Sequence, residues 1–183
     1  LRWEGEAWAG TDTNRVWLRS EGNATGAGQV TDGQQEVLYD RPVSPYFDVQ
    51  IGLRYDLDSR PGRAWAALGV EGLTPYLVHV AGTVYARDGG HFAAKVEAFR
   101  DIVLTQHVVL QPQAEMNAYS RQDPAREIGA GVSDIDAGLR LRYDVTRKFS
   151  PYAGLTYGRA FGGTAKEDQA PGLEFAVGLR SWF

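Results

Sequence analysis

The stretch Gly172-Leu-Glu-Phe-Ala-Val-Gly-Leu-Arg-Ser-Trp-Phe183 decides how the rest of the chain is read. At period two, Phe175, Val177, Leu179 and Phe183 fall on one face, with Glu174, Gly178, Arg180 and Trp182 on the other. Successive side chains of a β-strand point to opposite sides. Alternation of this length therefore marks a strand with an apolar neighbour on one side and a polar one on the other.

Working outward, the same alternation recurs over residues 1–9, 15–21, 36–41, 46–56, 64–73, 76–85, 92–101, 107–117, 133–143 and 152–161. With the terminal one, eleven strands are read in a single domain, 1–183. Their connections alternate between short turns, such as 11–14, and mostly longer polar stretches at 22–34, 57–62, 120–131 and 162–171. A final aromatic preceded by apolar residues at every second position resembles the closing strand of bacterial outer-membrane barrels, although Ser181 departs from that pattern. The fold class is all-β: an antiparallel up-and-down transmembrane β-barrel. Single-chain bacterial barrels have an even strand number, so about 12 strands are expected in the intact protein, the first lying upstream of Leu1. Leu1 is not an initiator residue, which fits a processed or truncated chain.

Composition narrows the class. A formal charge of −4 without a Lys/Arg cluster argues against nucleic acid. Cysteine is absent, which excludes disulfides and thiolate metal sites. No apolar run approaches the roughly 18 to 20 residues of a membrane helix. A mean hydropathy of −0.34 is compatible with a barrel, because every second residue of each strand faces the lumen.

The polar face carries Glu4, Glu6, Arg19, Glu21, Asp48, Arg54, Glu71, Lys95, Glu97, Glu115, Asp134, Asp136, Arg140, Arg142, Glu174 and Arg180. Each would cost up to about 2–4 kcal/mol at the bilayer midplane, least for the acids, so the apolar face must meet lipid. Arg100 and Arg159 fall on the lipid side by parity, near strand ends from which they can snorkel. Pro112 interrupts a strand that should be fully paired, and a bulge is expected there.

Three turns share a pattern: Ser44-Pro-Tyr46, Thr74-Pro-Tyr76 and Ser150-Pro-Tyr152. Proline cannot donate to a ladder, so it belongs where a strand opens. Pro-Tyr is ordinary turn chemistry, yet its threefold recurrence favours an interfacial aromatic belt. In the lumen, His79 and His107 face inward near short turns, and Glu71 and Asp101 reach the same level. Imidazole with carboxylate suits Cu(II), Zn or Ni. A network of interior salt bridges that only stabilises the barrel accounts for the same residues.

Several stretches together resemble the copper-resistance protein B family. They are Trp3-Glu-Gly-Glu-Ala-Trp8, Arg15-Val-Trp-Leu-Arg-Ser-Glu-Gly22, Ser44-Pro-Tyr-Phe-Asp48, Ile128-Gly-Ala-Gly-Val-Ser-Asp134, Gly138-Leu-Arg-Leu-Arg-Tyr143, Phe161-Gly-Gly-Thr164 and the last strand. The resemblance implies an outer-membrane barrel of a copper-resistance operon, working beside periplasmic copper-binding proteins in efflux, uptake or sequestration. It also implies a Met/His-rich N-terminal segment that is missing from residues 1–183. The His79 and His107 pair is read from the residues and is not carried by the resemblance.

The leading expectation is movement of copper ions across the outer membrane, with lumen carboxylates as weak stepping sites and lipid as the surroundings. A plugged barrel that docks periplasmic copper proteins is the alternative. An outer-membrane phospholipase would need a Ser–His pair at the lipid-facing rim, and no serine is suitably placed, so a non-enzyme is expected.

Overall fold

The computed structural model describes residues 2–24, 30–57, 62–122, 129–146, 149–161 and 172–181. Almost all of them are antiparallel strand, and the hydrogen-bonded order follows the sequence order. The expected all-β up-and-down arrangement is what the chain adopts. The eleven strands read from the alternation are all present, joined by one two-residue strand.

Two compact units divide the residues, Leu1–Gly72 with Thr83–Phe92, and Leu73–Gly82 with Ala93–Phe183. The first holds β1 (Arg2–Gly10), β2 (Arg15–Ala24), β3 (Val30–Pro42), β4 (Phe47–Asp56) and nearly all of β5 (Arg63–Leu73). β6 (His79–Arg87) and β7 (His91–Phe99) supply residues to both units. The second also holds β8 (Ile102–Val103), β9 (Val108–Tyr119), β10 (Gly131–Tyr143), β11 (Phe149–Ala160) and β12 (Gly172–Ser181).

Burial runs opposite to that of a water-soluble sheet protein. On β4, Leu53 is 62% exposed while the adjacent Arg54 is 6% exposed. On β5, Leu68 and Val70 are exposed, and Trp65 and Ala67 are buried. β10 repeats this in the second unit, with Ile135, Leu139 and Leu141 exposed and Asp134, Asp136, Arg140 and Arg142 half-buried between them. On β12, Phe175, Val177 and Leu179 are exposed. The polar side is the inner face of each strand and the apolar side its outer face. Arg100 and Arg159 are exposed, as their outer parity requires.

Four local expectations are corrected. The stretch 22–34 is shorter as a loop than its Gly/Thr/Asn content suggested. Its flanks are ladder, pairing Gly22 with Gly33 and Asn23 with Asp32. Backbone hydrogen bonds need no apolar side chains, so a polar hairpin extension leaves no periodicity to read. Tyr76 lies in a turn and β6 starts at His79, so the second Pro-Tyr precedes its strand by three residues. The third falls inside β11, where Pro151 pairs with Leu179. Parity then turns Tyr152 inward, and the Arg140 guanidinium sits 5.3 Å from its ring centroid. Of the three rings, only Tyr46 and Tyr76 are exposed at turns.

The fourth concerns Pro112, where there is no bulge. Pro112 pairs in register with Leu139 on β10, and that ladder shifts only between Val132 and Asp134. On its other side the pairings Phe99↔Gln113 and Ile102↔Leu110 share one register. Arg100 N–H donates to the Pro112 carbonyl at 3.1 Å. Proline has no N–H to return that bond. The neighbouring strand therefore breaks into β7 and β8 opposite it, at Arg100–Asp101.

Turn geometry closes the short connections. Gly10 has φ +148, and a Cβ there would collide with the Asn14 carbonyl. Asp88–Gly90 forms one 3-10 turn with Gly89 at φ 72 and Gly90 at φ 70, positive values that glycine adopts freely. The terminal Trp182 and Phe183, the stretch 162–171 and Ile128 lie outside the described residues.

Candidate functional site

The inner face of the first unit gathers its charges in the order the registers dictate. Arg15 on β2 lies opposite Asp40 on β3, Asp40 opposite Gln50 on β4, and Asp48 opposite Glu71 on β5. Arg15 Nη2 bonds Asp48 Oδ2 at 2.6 Å, and its Nε lies 3.0 Å from Asp40 Oδ1. The Nε contact is electrostatic, since neither of those two atoms completes a hydrogen bond. Gln50 Nε2 donates to Asp40 Oδ2 at 3.0 Å. Arg19 Nη2 donates to Glu71 Oε2 at 2.7 Å.

Asp40, Asp48 and Glu71 each present a carboxylate oxygen within 4.8 Å of the others. Asp40 is fully buried, while Asp48 and Glu71 remain partly open. Three carboxylates against two guanidiniums leave the group one negative charge in excess. Its donors are all oxygen, which suits divalent cations including Cu(II) and disfavours the thiophilic Cu(I).

Farther along the same strands lies a drier group. Arg54 Nε donates to Asp56 Oδ1 at 2.8 Å, and its guanidinium carbon lies 4.8 Å from the Tyr85 ring centroid. Tyr85 Oη donates to Glu36 Oε1 at 2.7 Å, and Trp65 Nε1 to Asp56 Oδ2 at 2.9 Å.

The second unit has networks of its own. Lys95 Nζ lies 2.7 Å from Glu97 and 3.6 Å from Glu115. Asn117 Nδ2 bridges Glu115 and Asp134 at 2.9 and 2.8 Å. Arg142 joins Asp101 at 3.2 Å and Asp144 at 2.9 Å. Asp136 and Arg140 are half-buried on the same face. Glu6 is exposed on β1, and the side chains of Glu4, Glu174 and Arg180 lie outside the described residues.

The expected metal-ligand set has scattered surroundings. Glu71 belongs to the carboxylate group above. His79 is exposed and stacks on Phe99, with centroids 4.6 Å apart and ring planes at 3°. His107 sits in the β8–β9 turn with Nδ1 3.0 Å from the Asp144 carbonyl oxygen. Asp101 accepts from Gln111 Nε2 at 2.7 Å beside its Arg142 contact. Within the second unit these three donors have separate neighbours. Among the described residues the convergent group is Asp40, Asp48 and Glu71. Asp40 and Arg15 were not among the expected site residues. Their parity with Glu36 and Arg19 was the available signal.

A family model described as "Copper resistance protein B precursor (CopB)" matches residues 1–183. A copper resistance protein B homolog of Pseudomonas syringae pv. tomato is 38% identical over 188 residues, covering 100% of this chain and 64% of that protein. Copper resistance protein B of Escherichia coli is 35% identical over 186 residues, covering 99% of this chain and 62% of that protein. The chain thus spans somewhat under two thirds of the length of these relatives.

Proposed function

Because the chain belongs to the copper resistance protein B family, we propose that it forms a β-barrel in the bacterial outer membrane and handles copper ions as cargo along its charged inner face. The observation that carries this reading is the inverted burial, with apolar side chains outside and ion pairs inside. In water such an exterior would be a very large apolar patch. In lipid it is the required one, because a spanning sheet must close and turn its charges inward. Closure at an even strand number takes one long strand beyond the eleven described, and the greater length of the relatives leaves room for it.

The carboxylates Asp40, Asp48 and Glu71 are the proposed stepping site for Cu(II). Their partial neutralisation by Arg15 and Arg19 keeps binding weak enough for release. His79, His107 and Asp101 are a secondary candidate near the short turns. That end is also the face proposed to meet periplasmic copper-binding proteins.

Three measurements test the reading. The chain should float with phospholipid vesicles and migrate differently on gels before and after boiling. Calorimetric titration of the folded protein with Cu(II) should lose about tenfold in affinity on Glu71→Gln, at the low end of what metal-site substitutions remove. An unaltered titration curve would remove the stepping site. The buried Arg54 group favours a second reading, a plugged barrel that docks copper proteins.

A further inference from the structure

We propose that Glu36, Arg54, Asp56, Trp65 and Tyr85 form a dry latch on the inner wall, shutting the carboxylate site off from the side of the longer connections. The proposal rests on the barrel reading above for its orientation, but its physical content lies within the first unit alone.

β4 enters from the short 43–46 turn with Asp48 and Gln50, and reaches Arg54 and Asp56 only afterwards. β5 runs the other way, meeting Trp65 before Glu71. Six residues of strand separate Asp48 from Arg54, about 20 Å at the usual rise. The carboxylates are thus at the short-turn end, and the Arg54 group stands between them and the longer 57–62 connection.

Wetness differs between the two levels. Around the carboxylates Asp40 is fully buried, but Arg15, Arg19, Asp48 and Glu71 keep between 22% and 25% of their side-chain surface exposed. In the second group Arg54 is 6%, Asp56 3%, Trp65 6% and Tyr85 2% exposed, with Glu36 half-buried at their edge. A charge line open to water would let solvent serve its polar atoms. Here the indole, phenol and guanidinium serve the two carboxylates directly, and the Tyr85 ring covers the Arg54 guanidinium. Burying the Arg54–Asp56 ion pair so completely is a poor route to stability, and a water-excluding barrier is a use that requires it. A hydrated cation at the carboxylates is then free to exchange toward the short turns, while the latch holds the other direction closed.

The test uses the full chain in detergent micelles, so that no membrane is needed. The sequence has no cysteine, and Ala67→Cys places a single buried thiol on the inner face between Trp65 and the carboxylates. Its rate of modification by a charged methanethiosulfonate should rise about tenfold when Arg54→Ala is added, because local opening then exposes it. Tyr85→Phe, which keeps the ring and removes only the hydroxyl donor, should give a smaller rise and covers the case in which Arg54→Ala fails to fold. Equal rates in the parent and the folded variants overturn the latch. In planar bilayers Arg54→Ala should conduct more than the parent chain, and identical conductance, zero included, overturns the barrier. Failure to float with vesicles would sink the barrel reading instead, leaving the micelle labelling to decide the latch.

Discussion

Asp40 illustrates what a single carboxylate does on this inner face. It has no exposed surface, and its charge is met by Arg15 from β2 and by Gln50 from β4. Among the described residues, removing Arg15 leaves that charge with the Gln50 amide alone. Breaking a buried pair from one side costs about 3–5 kcal/mol, and the remaining amide argues for the lower end of that range. Arg15→Ala should therefore lower the urea midpoint strongly, while the double variant Arg15→Ala with Asp40→Ala recovers part of the loss. If the double variant is no more stable than the single, Asp40 is not the group Arg15 neutralises. The sequence made Arg19, Asp48 and Glu71 legible as inner charges by parity alone. Asp40 escaped because β3 reads weakly, its inner face mixing Glu36, Leu38 and Asp40.

At the scale of elements, Pro112 shows how one missing donor shapes a neighbouring strand. The register continues across the break from Phe99 to Ile102, so the strand is interrupted without being displaced. Pro112→Ala restores an N–H facing the Arg100 carbonyl, and a net hydrogen bond contributes about 0.5–1.5 kcal/mol. The expected outcome is a single strand from β7 through β8, seen as slower amide exchange at Ile102 and Val103. Unchanged exchange there would mean that something other than the proline breaks the ladder. The His107 turn offers a second element-scale prediction. His79→Ala and His107→Ala, made together, should weaken the Cu(II) binding assigned to the secondary candidate near the short turns. An identical isotherm would confine binding to Asp40, Asp48 and Glu71.

For the whole molecule the governing fact is which side of the sheet meets which solvent. Leu53 is exposed on the outer face in the interior of β4, three residues before its end. Leu53→Lys should destabilise the vesicle-embedded protein by about 2–4 kcal/mol and leave the detergent-solubilised protein far less affected. An equal, small effect in both media would show that this face does not lie in lipid.

The period-two alternation by itself determined the all-β class, the eleven long strands, their sequential pairing and, on the clearly alternating strands, the side on which the described charges lie, because strand parity is a local property. Only the tertiary structure decided which inner charges meet. Pairing depends on register between strands, and register is set by turn lengths and backbone hydrogen bonds that side-chain patterning does not report. So Asp40 joins Asp48 and Glu71, while His79 goes to Phe99 and His107 to the Asp144 carbonyl. Asp56 and Asp144 pair with an arginine two positions away in the chain, but Asp40, Asp48 and Glu71 find their arginines on other strands, distant in sequence.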